Sequence, residues 1–250
     1  MRAPRIGLLY PTPDTGEDDF AALAARVTPR IDLDIVYMPW PDGVGDLRDL
    51  ETEATYDAVR RLGGEAHLRA VVPEALAAHD PIDAVAFGVS SASFLHGTDG
   101  VTAQVHTLSE VTGVPATSTT AAFLEALRHL RLRRVALASV YHPSGSDHFV
   151  DRVRESGTQV VHRVDADAPS DHDLAAWTPD QITGLVRAAA HPDAQAVLLP
   201  ETALHTSPLT SRLAAAAGVP VLTATGVTVW AACRLLGLIP SADDAGPLFA

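Results

Sequence analysis

The chain has 250 residues, of which 47% are apolar and 20% charged. That suffices for one large domain or two of about 125 residues, and it excludes wholesale disorder. Basic residues number 18 against 31 acidic ones, a net charge of −13 at pH 7. A diffuse acidic surface repels phosphate backbones and anionic lipid, which excludes nucleic acid and membrane surfaces as partners and leaves a small molecule in a sheltered pocket. Every basic residue is Arg. Without Lys there is no Schiff-base chemistry and no Walker-type phosphate loop. Asn is also absent, so there is no N-glycosylation sequon, and a single cysteine, Cys233, can build neither an internal disulfide nor a Cys-rich metal site. No basic leader with an apolar run opens the chain and no apolar stretch reaches membrane-spanning length, so a soluble, cytoplasmic protein is expected.

In chain order, short apolar runs at Arg5–Tyr10, Ile31–Met38, Ala84–Gly88, Val135–Ser139 and Ala196–Leu199 read as buried strands. Helical periodicity falls near 53–79, 120–131, 146–156, 179–190, 205–217 and 227–237. Strand–helix alternation of this kind predicts an α/β fold with parallel sheets covered by helices. The acidic stretch 165–173, with Pro169, reads as a surface loop. No glycine-rich dinucleotide fingerprint follows the first strand, because Pro11-Thr12-Pro13-Asp14 stands there.

An internal repeat sharpens the fold. Asp83-Ala84-Val85-Ala86-Phe87-Gly88 is echoed by Gln195-Ala196-Val197-Leu198-Leu199-Pro200, and Gly113-Val114-Pro115 by Gly218-Val219-Pro220, each leading into a helix. The expected architecture is two pseudo-symmetric, Rossmann/flavodoxin-like parallel-sheet halves, residues 1–118 with 223–250 and residues 119–222. An active-site cleft is expected between them. Ligands lie beyond the carboxyl ends of such strands, which selects Pro11 to Thr15, Val89 to Ser91, Tyr141, and Glu201 with Thr202.

Each candidate has a plain structural alternative. The Ser90 and Ser91 hydroxyls and their turn amides suit an oxyanion hole, or else cap the next helix. Glu201, at the repeat-equivalent of Val89, reads as a general acid–base raised in pKa by desolvation, or as a carboxylate at a helix N-terminus. His205, four residues on, would reach Glu201 if the segment were helical. Tyr141 closes a strand and could equally be packing. His142, Asp147 and His148 share a loop as the best metal cluster among eleven histidines, without a recognised ligand array. Met38, Trp40 and Leu47 could wall an apolar pocket or belong to the core.

The runs Ile6–Pro11, Ser91–Gly97, Arg133–Tyr141, Gly218–Val221 and Gly246–Phe249 together resemble arylmalonate decarboxylase and maleate cis-trans isomerase, members of the aspartate/glutamate racemase superfamily. The resemblance covers nearly the whole chain. It implies two α/β halves with the active site between them, no cofactor, and chemistry at a carbon next to a carboxylate or carbonyl. In that family cysteines after equivalent strands move the proton or attack the double bond. Here those positions are Val89 and Glu201, and Cys233 looks like a packing residue in the last helix. The resemblance also implies that Ser90, Ser91 and Tyr141 bind an enediolate, with the Thr202 amide completing the hole. Pro11, Thr12 and Asp14 would contact substrate, Asp14 standing where the isomerase has an Asn.

The expectation is therefore a cofactor-independent, decarboxylase-like lyase with Glu201 in place of the catalytic cysteine, and no metal. Its partner is a small carboxylate or carbonyl substrate. The alternatives are an isomerase or racemase, a hydratase or hydrolase using Asp14 with Glu201, and a metabolite-binding homologue without catalysis. Oligomeric state is not legible in the chain.

Overall fold

The computed structural model describes residues 2–44 and 50–250. Leu47 lies outside them. The first half contains β1 (Arg5–Tyr10), α1 (Glu17–Ala24), β2 (Asp32–Tyr37), α2 (Thr52–Leu62), α3 (Glu65–Leu76), β3 (Ala84–Phe87), α4 (Ser91–Phe94), α5 (Gly97–Thr112), β4 (Ala116–Ser118) and α6 (Thr119–His129). The second contains β5 (Arg134–Ser139), α7 (Pro143–Glu155), β6 (Gln159–Asp165), α8 (Asp171–Ala175), α9 (Pro179–Ala189), β7 (Val197–Leu199), α10 (Thr210–Ala217) and β8 (Val221–Thr223), after which α11 (Ala224–Leu235) returns to pack against β3 and β4.

Each half builds one four-stranded, all-parallel sheet, in the orders β2-β1-β3-β4 and β6-β5-β7-β8. The repeat therefore has a structural counterpart: β3 and β7 hold the same place, as do β4 and β8. The local signals repeat as well. Gly113 and Gly218 stop α5 and α10 in the left-handed conformation at φ 70° and 71°, where a side chain would be strained. Two residues further on, Pro115 and Pro220 lead into β4 and β8. Ser118 and Thr223 then accept the amides of Ala121 and Gly226, capping α6 and α11 where strand turns directly into helix.

The central strands are apolar throughout because helices cover both faces of each sheet. Alternation along β5 divides its residues between two cores. Val135 and Leu137 join the large core of the first half, whereas Ala136 and Ala138 face a smaller core with Ile182, Val186 and Leu213 of α9 and α10. The halves thus share a continuous apolar interior. Helices α6 and α11 meet within it, with the Thr119 and Thr228 hydroxyls 2.9 Å apart.

The structure adds helices α1 and α5, which the periodicity did not mark, and differs from three further expectations. The span 53–79 is two helices, broken at Gly63-Gly64. Residues 201–206 are not helical; a short 3₁₀ turn at Ser207–Leu209 precedes α10. The strand β6 was not expected, because as an edge strand it is half-buried and its sequence Gln-Val-Val-His-Arg-Val-Asp carries polar residues on both sides.

Candidate active site

The carboxyl ends of both sheets face a cavity of about 340 Å³, within the range of small-molecule sites. The first half supplies Tyr10, Pro11 and Thr12 after β1, and Gly88 to Ser91 after β3. The second supplies Val140 to His142 after β5, and Glu201 to Ala203 after β7. Trp40, Leu50, Thr52, Thr55, Tyr56 and Val59 form another wall, and residues 167–171 with Leu174 complete it. The expected candidates Pro11, Thr12, Val89, Ser90, Ser91, Tyr141, Glu201 and Thr202 all line this space.

Glu201 lines it and is buried, 7% exposed. Its Oε1 accepts the amide of Ala203 at 2.8 Å, which folds residues 201–203 into a tight turn instead of starting a helix. Burial raises its pKa to about 7 against the opposing pull of the Ala203 amide and the Tyr141 hydroxyl; the Asp171 charge adds to the rise. A carboxyl group so placed exists in both protonation states near neutrality. Tyr141 donates its hydroxyl to the Pro200 carbonyl at 2.7 Å. Burial, and then the neighbouring Glu201 charge, hold its pKa well above 10, so it stays protonated. Phe94 packs edge-on against its ring, centroids 5.2 Å apart.

The Ser90 side chain does not cap α4. Its Oγ, in a residue 1% exposed, has no hydrogen-bond partner, although the Tyr141 hydroxyl is near. Its backbone is held instead, the Ser90 carbonyl accepting the Thr120 hydroxyl at 3.0 Å. The Thr12 hydroxyl is likewise buried without a partner. Buried hydroxyls are nearly always paired in folded proteins, so two orphans lining one cavity mark where a ligand's polar atoms would complete the set.

The turn bearing Glu201 is clamped to the first half. Asp19 of α1, 2% exposed, accepts the Thr206 amide and hydroxyl (3.0 and 3.2 Å), the Ser207 amide (2.9 Å) and the Thr225 hydroxyl (2.8 Å). The Tyr10 hydroxyl donates to the Thr202 carbonyl at 3.3 Å. Gly16 is there because the chains touch: a Cβ would lie 2.0 Å from the Thr202 oxygen.

Two expected site residues stand apart. Asp14 is exposed at φ 59° and does not line the cavity. The loop curls back onto the start of α1, where Glu17 accepts the Asp14 and Thr15 amides at 2.7 and 2.9 Å. His205 points to Asp18, Nε2 to Oδ1 2.8 Å, and not to Glu201, because the intervening residues are not helical. An Asp14–Glu201 working pair is therefore not assembled. The acidic stretch also departs from its reading as a mere surface loop: Asp167, Pro169, Ser170 and Asp171 wall the cavity. Only recognition of β6 would have placed it at a strand's carboxyl end. Tyr10 and Tyr56 were likewise not singled out.

The sole cysteine, Cys233, is buried in α11 away from the cavity, and burial pushes its thiol up to about 12. Among the described residues no group of three His, Cys, Asp or Glu is placed to hold a metal. His142 caps α7, accepting the Ser144 amide, and Asp147 pairs with Arg163 at 2.5 Å. No helix among them is long and apolar enough to cross a membrane.

Two like α/β halves thus share a core and close on a cavity lined by a carboxylate, a tyrosine and two serines. The chain belongs to the arylmalonate decarboxylase family, whose model matches residues 50–249. It is 26% identical to the maleate isomerase of Pseudomonas putida KT2440 over 135 residues, and that match spans about half the length of either protein, 54% of each. Among solved structures it superposes on a liganded double mutant of arylmalonate decarboxylase with TM-score 0.79 and 25% identity, covering 99% of both chains. It superposes on the maleate isomerase of Pseudomonas putida S16 with maleate at TM-score 0.83 and 19% identity, covering 99% of this chain and 98% of that one. The maleate cis-trans isomerase of Nocardia farcinica, bearing a covalent succinylcysteine intermediate, gives 0.82 at 19% identity with the same coverage. These relatives are enzymes, a lyase and isomerases.

Proposed function

We propose that the chain is a cofactor-independent lyase of the decarboxylase type, acting on a small carboxylic compound through an enediolate-like intermediate, with Glu201 moving the proton. The observation that carries this reading is the buried Glu201 carboxyl, poised near neutral pH and sharing a cavity with the unpartnered Ser90 hydroxyl and the protonated Tyr141. Sequestered carboxyl groups with raised pKa serve as proton donors to carbon. A thiol route of the kind recorded in the Nocardia structure is not open, since Cys233 lies outside the cavity.

In the proposed reaction one carboxylate of a malonate-type acid is held by the Ser90, Ser91 and Tyr141 hydroxyls. The other leaves as carbon dioxide, and the electrons of the broken C–C bond pass into the enediolate. Protonated Glu201 gives its proton to the α-carbon and is reprotonated from solvent, so one proton is consumed per turnover. Val89, at the equivalent position after β3, has no proton to give. That makes the transfer one-sided and the product a single enantiomer.

The test is proton NMR in D₂O over a panel of aryl- and alkyl-malonates, maleate and 2-substituted acids. Product deuterated at the α-carbon, lost in Glu201→Gln while ligand-induced thermal stabilisation persists, supports the reading. An unimpaired Glu201→Gln variant sinks it, and binding without product from any member of the panel points to a metabolite-binding homologue.

A further inference from the structure

Resting on the acid–base reading above, we infer that the substrate's substituent bears a cationic nitrogen, seated at the cavity wall between the Asp167 and Asp171 carboxylates and beside the rings of Trp40 and Tyr56. The described lining contains three carboxyl groups, Glu201, Asp167 and Asp171, and neither Lys nor Arg. Nearby arginines are engaged elsewhere: Arg163 with Asp147 and Asp165, Arg60 with Asp57, and Arg61 on the Asp42 carbonyl.

Among the described residues neither aspartate is paired with an arginine. Asp167 is exposed at φ 50° and makes no ion pair among the described residues, while Asp171 Oδ1 meets only the amide and ring of its neighbour His172, at 2.9 and 3.2 Å. Both charges are felt inside: Asp171 raises the pKa of Glu201 and Asp167 that of Tyr56.

Unpartnered hydroxyls orient the ligand independently. Ser90 Oγ, 1% exposed and unpartnered, and the buried Thr12 hydroxyl line the same cavity, so they take the ligand's oxygens and leave the substituent to the acidic, aromatic wall. An ammonium there gains Coulombic attraction and contact with aromatic rings. A plain dianion meets repulsion that lowers affinity roughly tenfold per close carboxylate at intermediate dielectric.

The experiment compares 2-(2-aminoethyl)malonate with its uncharged isostere propylmalonate as substrates, and the corresponding mono-acids, 4-aminobutanoate and pentanoate, as ligands in isothermal titration calorimetry. Wild-type protein is expected to favour the ammonium compound about ten- to a hundredfold in kcat/KM and in Kd, the preference shrinking with added salt. The Asp167→Asn/Asp171→Asn double variant is expected to lose it. Equal treatment of the two compounds by wild type, a preference that survives in the double variant, or failure to bind either mono-acid overturns the inference. The two readings separate cleanly. Ammonium-selective binding without turnover of any compound upholds the charge selection and removes the lyase; turnover without selectivity does the reverse.

Discussion

Replacing Glu201 by Gln tests the electrostatics of the site without any knowledge of the substrate. Burial raises this carboxyl from an ordinary value of 4.5 to about 7 in the folded protein. The native state thus binds the proton more tightly than the unfolded chain does. The contribution of this group to stability is fully present below the unfolded pKa and is lost as pH rises through the folded one. The gap of about 2.5 units, at about 1.4 kcal/mol each, amounts to roughly 3 kcal/mol of destabilisation developed between pH 4.5 and 7 and constant above it. Gln keeps a carbonyl for the Ala203 amide and never ionises, so the variant escapes this loss. Calorimetric unfolding from pH 5 to 9 should show similar stabilities at the acid end. At pH 8–9 the variant should be more stable by roughly 3 kcal/mol, a rise in Tm of about 6–12 °C for a chain of this size. Parallel pH dependence in the two proteins would show that Glu201 titrates as an ordinary solvated carboxylate, and the argument for its proton role would fail with it.

Ser90→Ala removes a hydroxyl that holds nothing in the folded protein, so unfolding free energy should shift by less than about 0.5 kcal/mol while turnover falls by about a hundredfold or more. A large loss of stability with unchanged turnover would return Ser90 to a structural role. Asp19→Ala strands the Thr206, Ser207 and Thr225 donors and should cost roughly 3–5 kcal/mol in urea titration; an unmoved midpoint would mean that the clamp on the Glu201 turn carries no weight. Gly16→Ala drives a methyl against the Thr202 carbonyl, with an expected loss of about 1–3 kcal/mol and a lowered kcat as that turn is displaced. Wild-type kinetics in this variant would show that the two segments part without consequence.

Much of the architecture was legible because it rests on local rules. Continuous apolar runs marked the central strands, and the duplicated Gly-Val-Pro segments marked helix stops followed by strands in both halves. The position of Glu201 after β7, equivalent to Val89 after β3, also followed from sequence alone, since strand ends meet the ligand in open parallel sheets. The edge strand β6 was not legible, because a half-buried strand keeps no clear alternation. Missing it concealed the acidic wall, for Asp167 and Asp171 count as site residues only once the strand before them is known.

Side-chain partnership lay beyond any reading of the chain. Proximity in sequence linked His205 to Glu201 and Asp14 to substrate. The structure instead sends His205 to Asp18 and turns Asp14 outward, because the turns at 201–206 and 14–17 are shaped by amides seeking the Glu201 and Glu17 carboxylates. Composition, periodicity and the repeat determined that this is a doubled parallel α/β protein with its cavity at the strand ends. Only the tertiary structure decided that Glu201 is dry enough to hold a proton near neutrality, that the Ser90 hydroxyl lines the same cavity unpaired, and that Asp167 and Asp171 form part of its wall. Desolvation and hydrogen-bond completion depend on what every other part of the chain brings to the same few ångströms.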